Sequence, residues 1–441
     1  MNLFAKLSTL PMLGWYAFSA LVFNDEALLV HLGSFKLSVF DFLFVGMCLV
    51  KFSRLAEPGA YQLPTGRIGT VLMFNVLAVI YLLISAGHQP GIETGDVLRD
   101  LRVVFYFLLI PFICYKDIDS PNAYRKVQMY LVGAGVAVSL YMLAEQLHGF
   151  SVANPVRDVR LGVWVIPFSV VSLLYFRADL KLKVSTAYAM ILFMMMALVF
   201  SLNRSQYLQL LFSIGMAMVL GRQVNAMRRG LALFVPALVA GLVLFYAMGY
   251  LDILIERVVS VDDLQNDSSY GSRVQEYVGQ MEFFRQSPIF GNGAGFRSWV
   301  MGEDGFELST FAHNSWAFYL MKFGIVGTVL IMWPCLLLMI FAMIRPYRDA
   351  RLELHRRYLI ACMPVYVFVD SLSGGLAYAP KTAFTGFLLC YALSLLRNDV
   401  SWSPLHRPAR RTLATTVMTH AAQVRPRALV RTSSIKAIRN G

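Results

Sequence analysis

Apolar runs of about twenty residues recur almost from end to end of this 441-residue chain, and nothing else constrains its fold as strongly. A run of that length matches the hydrocarbon thickness of a bilayer when helical. In lipid the backbone must satisfy its own hydrogen bonds, so only a helix or a closed barrel can span. The runs are continuous and do not alternate, which predicts helices. They fall at about 7–23, 36–52, 68–86, 97–115, 127–147, 161–177, 184–202, 206–221, 230–250, 324–344, 358–375 and 380–396; Pro11 interrupts the first, and the eighth is short. Composition agrees: 57% of residues are hydrophobic, 15% are charged, and the mean hydropathy is +0.59. Those values exclude a soluble globular enzyme, a disordered scaffold and a nucleic-acid module. The expectation is an all-α polytopic membrane protein of about twelve transmembrane helices. Residues 1–396 form its membrane domain, and 397–441 form a basic, disordered tail. The five cysteines, Cys48, Cys114, Cys335, Cys362 and Cys390, lie in apolar runs without metal or redox spacing and read as small hydrophobes.

Charge sets the expected orientation. With a cytoplasmic N-terminus, the inner loops carry 17 basic residues in 56 positions, and the outer segments carry 12 in 129. That bias follows the positive-inside rule. An even number of spans then puts the tail, with nine basic residues against Asp399 alone, in the cytoplasm as well. There it either lies on anionic lipid or stays solvated. No strong internal repeat suggests the paired halves of many transporters.

One long outer loop, 251–323, carries ten acidic and five basic residues, so any anion site in it must be local. Ser272-Arg273-Val274-Gln275 fits a capping box, and Val274, Tyr277, Val278, Met281 and Phe284 then recur at helical spacing up to Pro288. This predicts an amphipathic helix on the membrane surface or over a cavity mouth, with Arg273 in its first turn. Arg273 is either a solvated surface arginine or, with free backbone N–H groups beside it, part of a phosphate cradle. Gly291-Asn-Gly293-Ala-Gly295 follows no strand, so it fails as a dinucleotide loop. It reads instead as a turn that lets the backbone approach another segment closely. His313-Asn314 sits at the membrane edge, as an interfacial polar pair or as a base beside its helper.

Several outer arginines run against the charge bias: Arg99, Arg102, Arg157, Arg160 and Arg204. Ionisable groups beside spans are costly unless paired, and arginine grips phosphate oxygens bidentately. Asp100 and Asp158 offer to neutralise Arg99, Arg102 and Arg157. Arg204, in Asn203-Arg204-Ser205 between two apolar runs, has no acidic neighbour in sequence. Arginines and a histidine at one face suggest a lipid-linked pyrophosphate as ligand.

Taken in order, these pieces resemble the O-antigen ligase and polymerase superfamily of surface-polysaccharide enzymes. The resemblance rests on Arg160-Leu-Gly162, Ser201-Leu-Asn-Arg204-Ser205, Ser272-Arg273…Tyr277, Ser287-Pro288-Ile-Phe-Gly291-Asn-Gly293-Ala-Gly295, Phe311-Ala-His313-Asn314-Ser-Trp316 and Phe323-Gly324-Ile-Val-Gly327, across roughly residues 150–345. It implies a C-type glycosyltransferase architecture in the bacterial inner membrane, needing neither metal nor other cofactor. Its donor would be an undecaprenyl-pyrophosphate-linked oligosaccharide and its acceptor a glycan, both at the periplasmic face. By position, Arg204 and Arg273 would bind the pyrophosphate with help from Arg160, and His313 would act as general base with Asn314 beside it. Other polysaccharide-assembly membrane proteins are implied neighbours; nucleic acid is not. Polymerisation of exopolysaccharide or O-antigen repeat units ranks first. Ligation to lipid A core or protein ranks second, and transport of lipid-linked oligosaccharide comes from another class. Lys322 departs from the family pattern, where that stretch is often acidic.

Overall fold

The computed structural model describes residues 9–22, 30–32, 35–55, 66–86, 91–149, 162–201, 203–220, 268–302, 305–310 and 312–401, with single positions between 232 and 246. Its contacts divide the chain into Met1–Asp399 and Val400–Gly441. The tail from residue 402 on, Arg160, and most of the ninth expected span lie outside the described residues.

Among the described residues the chain is all-α apart from two small hairpins, β1 (Val30–Leu32) with β2 (Phe35–Leu37) and β3 (Ser298–Gly302) with β4 (Gly305–Ser309). The helices are α1 (Leu10–Val22), α2 (Val39–Leu55), α3 (Gly66–Ala86), α4 (Thr94–Cys114), α5 (Pro121–Gly149), α6 (Val165–Phe176), α7 (Val184–Phe200), α8 (Arg204–Val219), α9 (Ser268–Gln286), α10 (Ser315–Ile344), α11 (Ala350–Leu372) and α12 (Ala379–Ser401). Eleven of the twelve expected spans therefore fall on helices. Among the described residues four stretches are long and apolar enough to cross a bilayer unaided, Gly66–Ala86, Pro121–Ala144, Ser315–Ile344 and Ala379–Asp399, and four shorter apolar helices accompany them.

Burial sorts these helices. A helix apolar all round belongs either in a core or against lipid. In α6 every residue from Val165 to Phe176 is buried, and α12 is buried along nearly its whole length. In contrast, α3 turns Met73, Val76, Ile80 and Leu83 outward, and α2 does the same with Phe42, Val45 and Leu49. The two inner helices are the core, and α2 and α3 are the lipid-facing rim of a polytopic membrane protein.

The helix ends gather into two layers. At one end Lys51 pairs with Asp117 at 3.1 Å, Arg397 donates to the Lys116 carbonyl, and Asn398 donates to the Ile118 carbonyl. Arg357 donates to the Leu220 carbonyl at 2.7 Å in the same layer. Each of these residues lies in or beside a segment read as an inner loop. Segments read as outer meet at the opposite end. Asp96 bonds Arg297, Gly295 sits against Ile92 and Val97, and Gly374 packs on Ala312 and His313. The candidate site is in this second layer.

Candidate active site

The segment from α9 to α10 folds back on itself and builds most of the site end. Helix α9 begins at Ser268, four residues ahead of the expected capping box. The first-turn position expected for Arg273 is thus corrected, because the polar residues 268–271 join the helix and carry Arg273 into its second turn. The expected apolar stripe is not buried by the protein: Val274, Tyr277 and Val278 are exposed, while Glu276 and Gln280 are buried. The helix lies polar face inward, which leaves its apolar face outward as a bilayer-surface helix requires.

After α9 the glycine-rich turn meets a break in α10. Gly324 has φ 62° and ψ −170° inside that helix, so the expected span starting at 324 is the second part of a helix that begins at Ser315. The break frees backbone groups, and the turn satisfies them. Asn292 N–H donates to Met321 O at 3.0 Å, Gly293 N–H to Lys322 O at 2.8 Å, and Ile325 N–H to Pro288 O at 2.9 Å. A Cβ on Gly291 would stand 2.3 Å from Lys322 O, and one on Gly324 would stand 2.3 Å from Ile289 O. Both glycines have positive φ, so the close approach read from the sequence is what these residues provide. Irregular backbone at membrane depth is tolerated only where protein re-satisfies it in this way.

Beside the break lies a buried ion pair. Lys322, fully buried, donates to both oxygens of Asp100 at 2.8 and 2.6 Å and to Thr310 O at 2.7 Å, with the Phe318 ring 4.4 Å away. Gly295 N–H also donates to Asp100. The alternative in which Asp100 neutralises Arg99 and Arg102 is not the one the structure shows. Arg99 reaches Asp96 at 3.7 Å and Thr310 Oγ1 at 2.9 Å, and Arg102 reaches Asp41 at 3.3 Å. Helix geometry explains the change, since side chains one and two residues apart do not face each other. Arg297 is held by Asp96 and Glu93, and its hydrogen bond to Asp96 raises its already high pKa.

The central finding is a carboxylate on the histidine. Glu276, almost wholly buried, accepts the His313 backbone N–H at 2.8 Å on Oε1 and meets His313 Nδ1 at 2.7 Å on Oε2. Gln280 donates to the same carboxylate at 2.9 Å. A carboxylate at Nδ1 fixes that nitrogen as the protonated one and leaves Nε2 as the basic one. The ring is one-third exposed. Asn314 caps α10, its side-chain oxygen accepting Ala317 N–H at 3.1 Å. Ser315 then bonds Asp370 O and Leu376 N–H, pinning the start of α10 to the turn after α11.

His313, Asn314 and, through Glu276, Arg273 are thereby brought together. Arg273 is one turn before Glu276 on α9, where Cβ atoms lie about 5–6 Å apart. It is exposed, and it makes no ion pair among the described residues. Arg204 opens α8 behind Asn203, at the end opposite Leu220; its side chain and all of Arg160 lie outside the described residues. Glu276 was missed from sequence as anything but one acid among ten. Its spacing of 37 residues from His313 carries no local signal. Below the site an apolar cavity of about 260 Å³ lies between α4, α10, α11 and α12, lined by Phe107, Trp316, Met332, Met363, Leu376 and Leu389 among others.

A helical bundle of this kind, with a carboxylate-held histidine at one end, defines a polytopic membrane protein. Residues 189–332 match the family model described as O-antigen ligase, and that stretch runs from α7 through Glu276 and His313 into α10. Through this segment the chain is similar to the O-antigen ligases. No curated protein matches the sequence significantly.

Proposed function

We propose that the protein is a membrane glycosyltransferase that moves an undecaprenyl-pyrophosphate-linked glycan onto an acceptor sugar hydroxyl, polymerising repeat units of a surface polysaccharide. The observation that carries this reading is the Glu276–His313 pair one turn from Arg273, an exposed arginine that makes no ion pair among the described residues. In the reaction His313 Nε2 takes the proton of the acceptor hydroxyl. The freed oxygen attacks the donor's anomeric carbon, and the bond from that carbon to the pyrophosphate oxygen breaks. Undecaprenyl pyrophosphate leaves with the electron pair. Arg273, with Arg204 and Arg160, meets the charge that develops on it, and fixed cations in place before the step are the most effective form of such help. Glu276 stabilises the imidazolium and holds the ring in the productive tautomer. Asn314 holds the start of α10, and with it the base, in place. No metal is assigned a role in these steps.

The apolar cavity lined by Trp316, three residues from His313 in sequence, supports a donor with a long hydrocarbon tail, since it lies among apolar side chains of α4, α10, α11 and α12. The layer holding His313 is the periplasmic one in this reading, and both termini are cytoplasmic in the inner membrane. Ligation is the second reading, favoured by the description of the matched family; the donor chemistry is the same and only the acceptor differs. Extraction of lipid-linked glycan from a deletion strain separates the two. Polymerase loss leaves single repeat units on lipid, and ligase loss leaves long unattached chains. Unchanged lipid-linked pools and unchanged surface polysaccharide would remove both.

A further inference from the structure

Across the His313 segment from Glu276 stands a second polar group to which neither the sequence motifs nor the mechanism above assigns a role. Asp370 ends α11, Lys381 lies in the first turn of α12, and Trp164 immediately precedes α6. Lys381 Nζ lies 2.8 Å from Asp370 Oδ1 and 5.1 Å from the centre of the Trp164 ring, so one ammonium stands between a carboxylate and an indole. Asp370 is fully buried and Trp164 nearly so, whereas Lys381 is partly exposed. Two buried polar atoms in this group have no hydrogen-bond partner among the described residues: Asp370 Oδ2, an acceptor, and Trp164 Nε1, a donor. Native proteins rarely leave such groups unpaired, because a buried polar group without a partner loses its hydration and gains nothing in return.

The group shares a wall with the base. Gly374 (φ 73°) packs against the Ala312 carbonyl and the His313 backbone, and a Cβ on Gly375 would stand 2.6 Å from the Asp370 Cβ. Ser315 Oγ bridges Asp370 O and Leu376 N–H, two residues beyond His313. Whatever occupies the group therefore sits within a few residues of the proposed proton acceptor.

The chemistry of the unmet groups selects the ligand. Among the described residues an acceptor and a donor are both orphaned, and the ammonium, with three N–H bonds, makes one hydrogen bond, to Asp370. The local charge is balanced, so a free phosphate gains little, and a lone cation leaves the indole N–H unmet. Neighbouring hydroxyls on a sugar ring supply donors and acceptors together. We propose that Asp370, Lys381 and Trp164 form a saccharide subsite beside His313, which binds a hydroxyl-bearing ring of the glycan. This rests on the transferase reading for its biological substrate. The subsite takes its sugar from either the donor or the acceptor glycan, and kinetics distinguishes these sources.

The test uses the full chain in nanodiscs and, as probe, repeat-unit oligosaccharide freed from lipid-linked glycan of the native host. Saturation-transfer NMR gives its Kd. Wild type and His313→Ala bind alike. Trp164→Phe, which removes only the N–H, and the double variant Asp370→Asn/Lys381→Met, which removes the buried charges together, each weaken binding about fivefold or more, as loss of one or two hydrogen bonds implies. In transfer assays the same variants raise the KM of one substrate and leave kcat within about twofold; the substrate affected is the source of the sugar. A merely structural group would instead lower kcat and Tm together without a KM change. Folded variants that bind the oligosaccharide as wild type does would overturn the subsite and leave the transferase reading standing. A wild type that transfers no sugar, yet loses oligosaccharide binding in these variants, would overturn the transferase reading and keep the subsite.

Discussion

Replacing Glu276 by Gln tests the acid–base assignment with almost no change in shape. In the native site three donors converge on one carboxylate: the His313 backbone N–H, His313 Nδ1–H and Gln280 Nε2. A glutamine amide offers one oxygen and one NH2, so at least one of the three contacts becomes donor facing donor. The ring can relieve that clash by moving its proton to Nε2, which makes Nδ1 the acceptor and removes the nitrogen that must take the hydroxyl proton. A hydrogen bond to a charged group contributes about 1.5–3 kcal/mol, and each ~1.4 kcal/mol is tenfold. The variant should therefore lose about ten- to a hundredfold in kcat, with the donor KM little changed. Single-turnover transfer of lipid-linked glycan by protein in proteoliposomes measures this, with thermal unfolding in detergent as the control for folding. A folded Glu276→Gln protein with kcat within twofold of wild type would refute the argument that this carboxylate sets the state of the base.

Other outcomes follow from the same geometry. Arg273→Ala should leave Tm unchanged, because the side chain is exposed and makes no ion pair among the described residues, while donor turnover falls at least tenfold; a wild-type rate would remove Arg273 from the leaving-group site. Lys322→Met alone strands a buried carboxylate and should destabilise by about 3–5 kcal/mol, whereas Lys322→Met with Asp100→Asn should recover most of that in a double-mutant cycle of thermal unfolding. Burial pushes the Glu353 carboxyl up, but hydrogen bonds from Arg356, Arg357 and the Tyr347 N–H outweigh it and hold the group at about 2. A carboxyl depressed on folding adds stability above its unfolded pKa, here about 4.5, and loses it as pH falls toward 2. Glu353→Gln should thus lower the Tm at pH 7 and by a smaller amount at pH 4; an equal loss at both would contradict the assignment. A cysteine placed at 273 should react with a membrane-impermeant maleimide from the periplasmic side, and reaction only after lysis would reverse the orientation.

The spans were legible because hydropathy is a local quantity: a window over Gly66–Ala86 contains all that is needed to place α3. The same window is blind to backbone direction, so the break at Gly324 was hidden inside an apolar run and α10 was read as starting there. The start of α9 was misplaced because a good local cap at Ser272 says nothing about whether the polar residues before it also join the helix. At the site, His313, Asn314 and Arg273 stood out by type and order along the chain. Their partners did not. Glu276 meets His313 across 37 residues and Lys322 meets Asp100 across 222, and such pairings arise only when the glycine turn docks on the kink. Asp100 is adjacent to Arg99 and Arg102 in sequence, but on a helix neighbours one and two residues apart point away from each other. Trp164, Asp370 and Lys381 sit on three separate helices' ends and share no motif, so nothing short of the fold joins them.

The most direct measurement reconstitutes the purified chain with lipid-linked glycan in proteoliposomes and follows glycan length and released undecaprenyl pyrophosphate together. The account predicts one pyrophosphate lipid freed for each new glycosidic bond, and no bond formation by His313→Ala. Glycan crossing the bilayer with no bond made, or equal rates from wild type and His313→Ala, would contradict it.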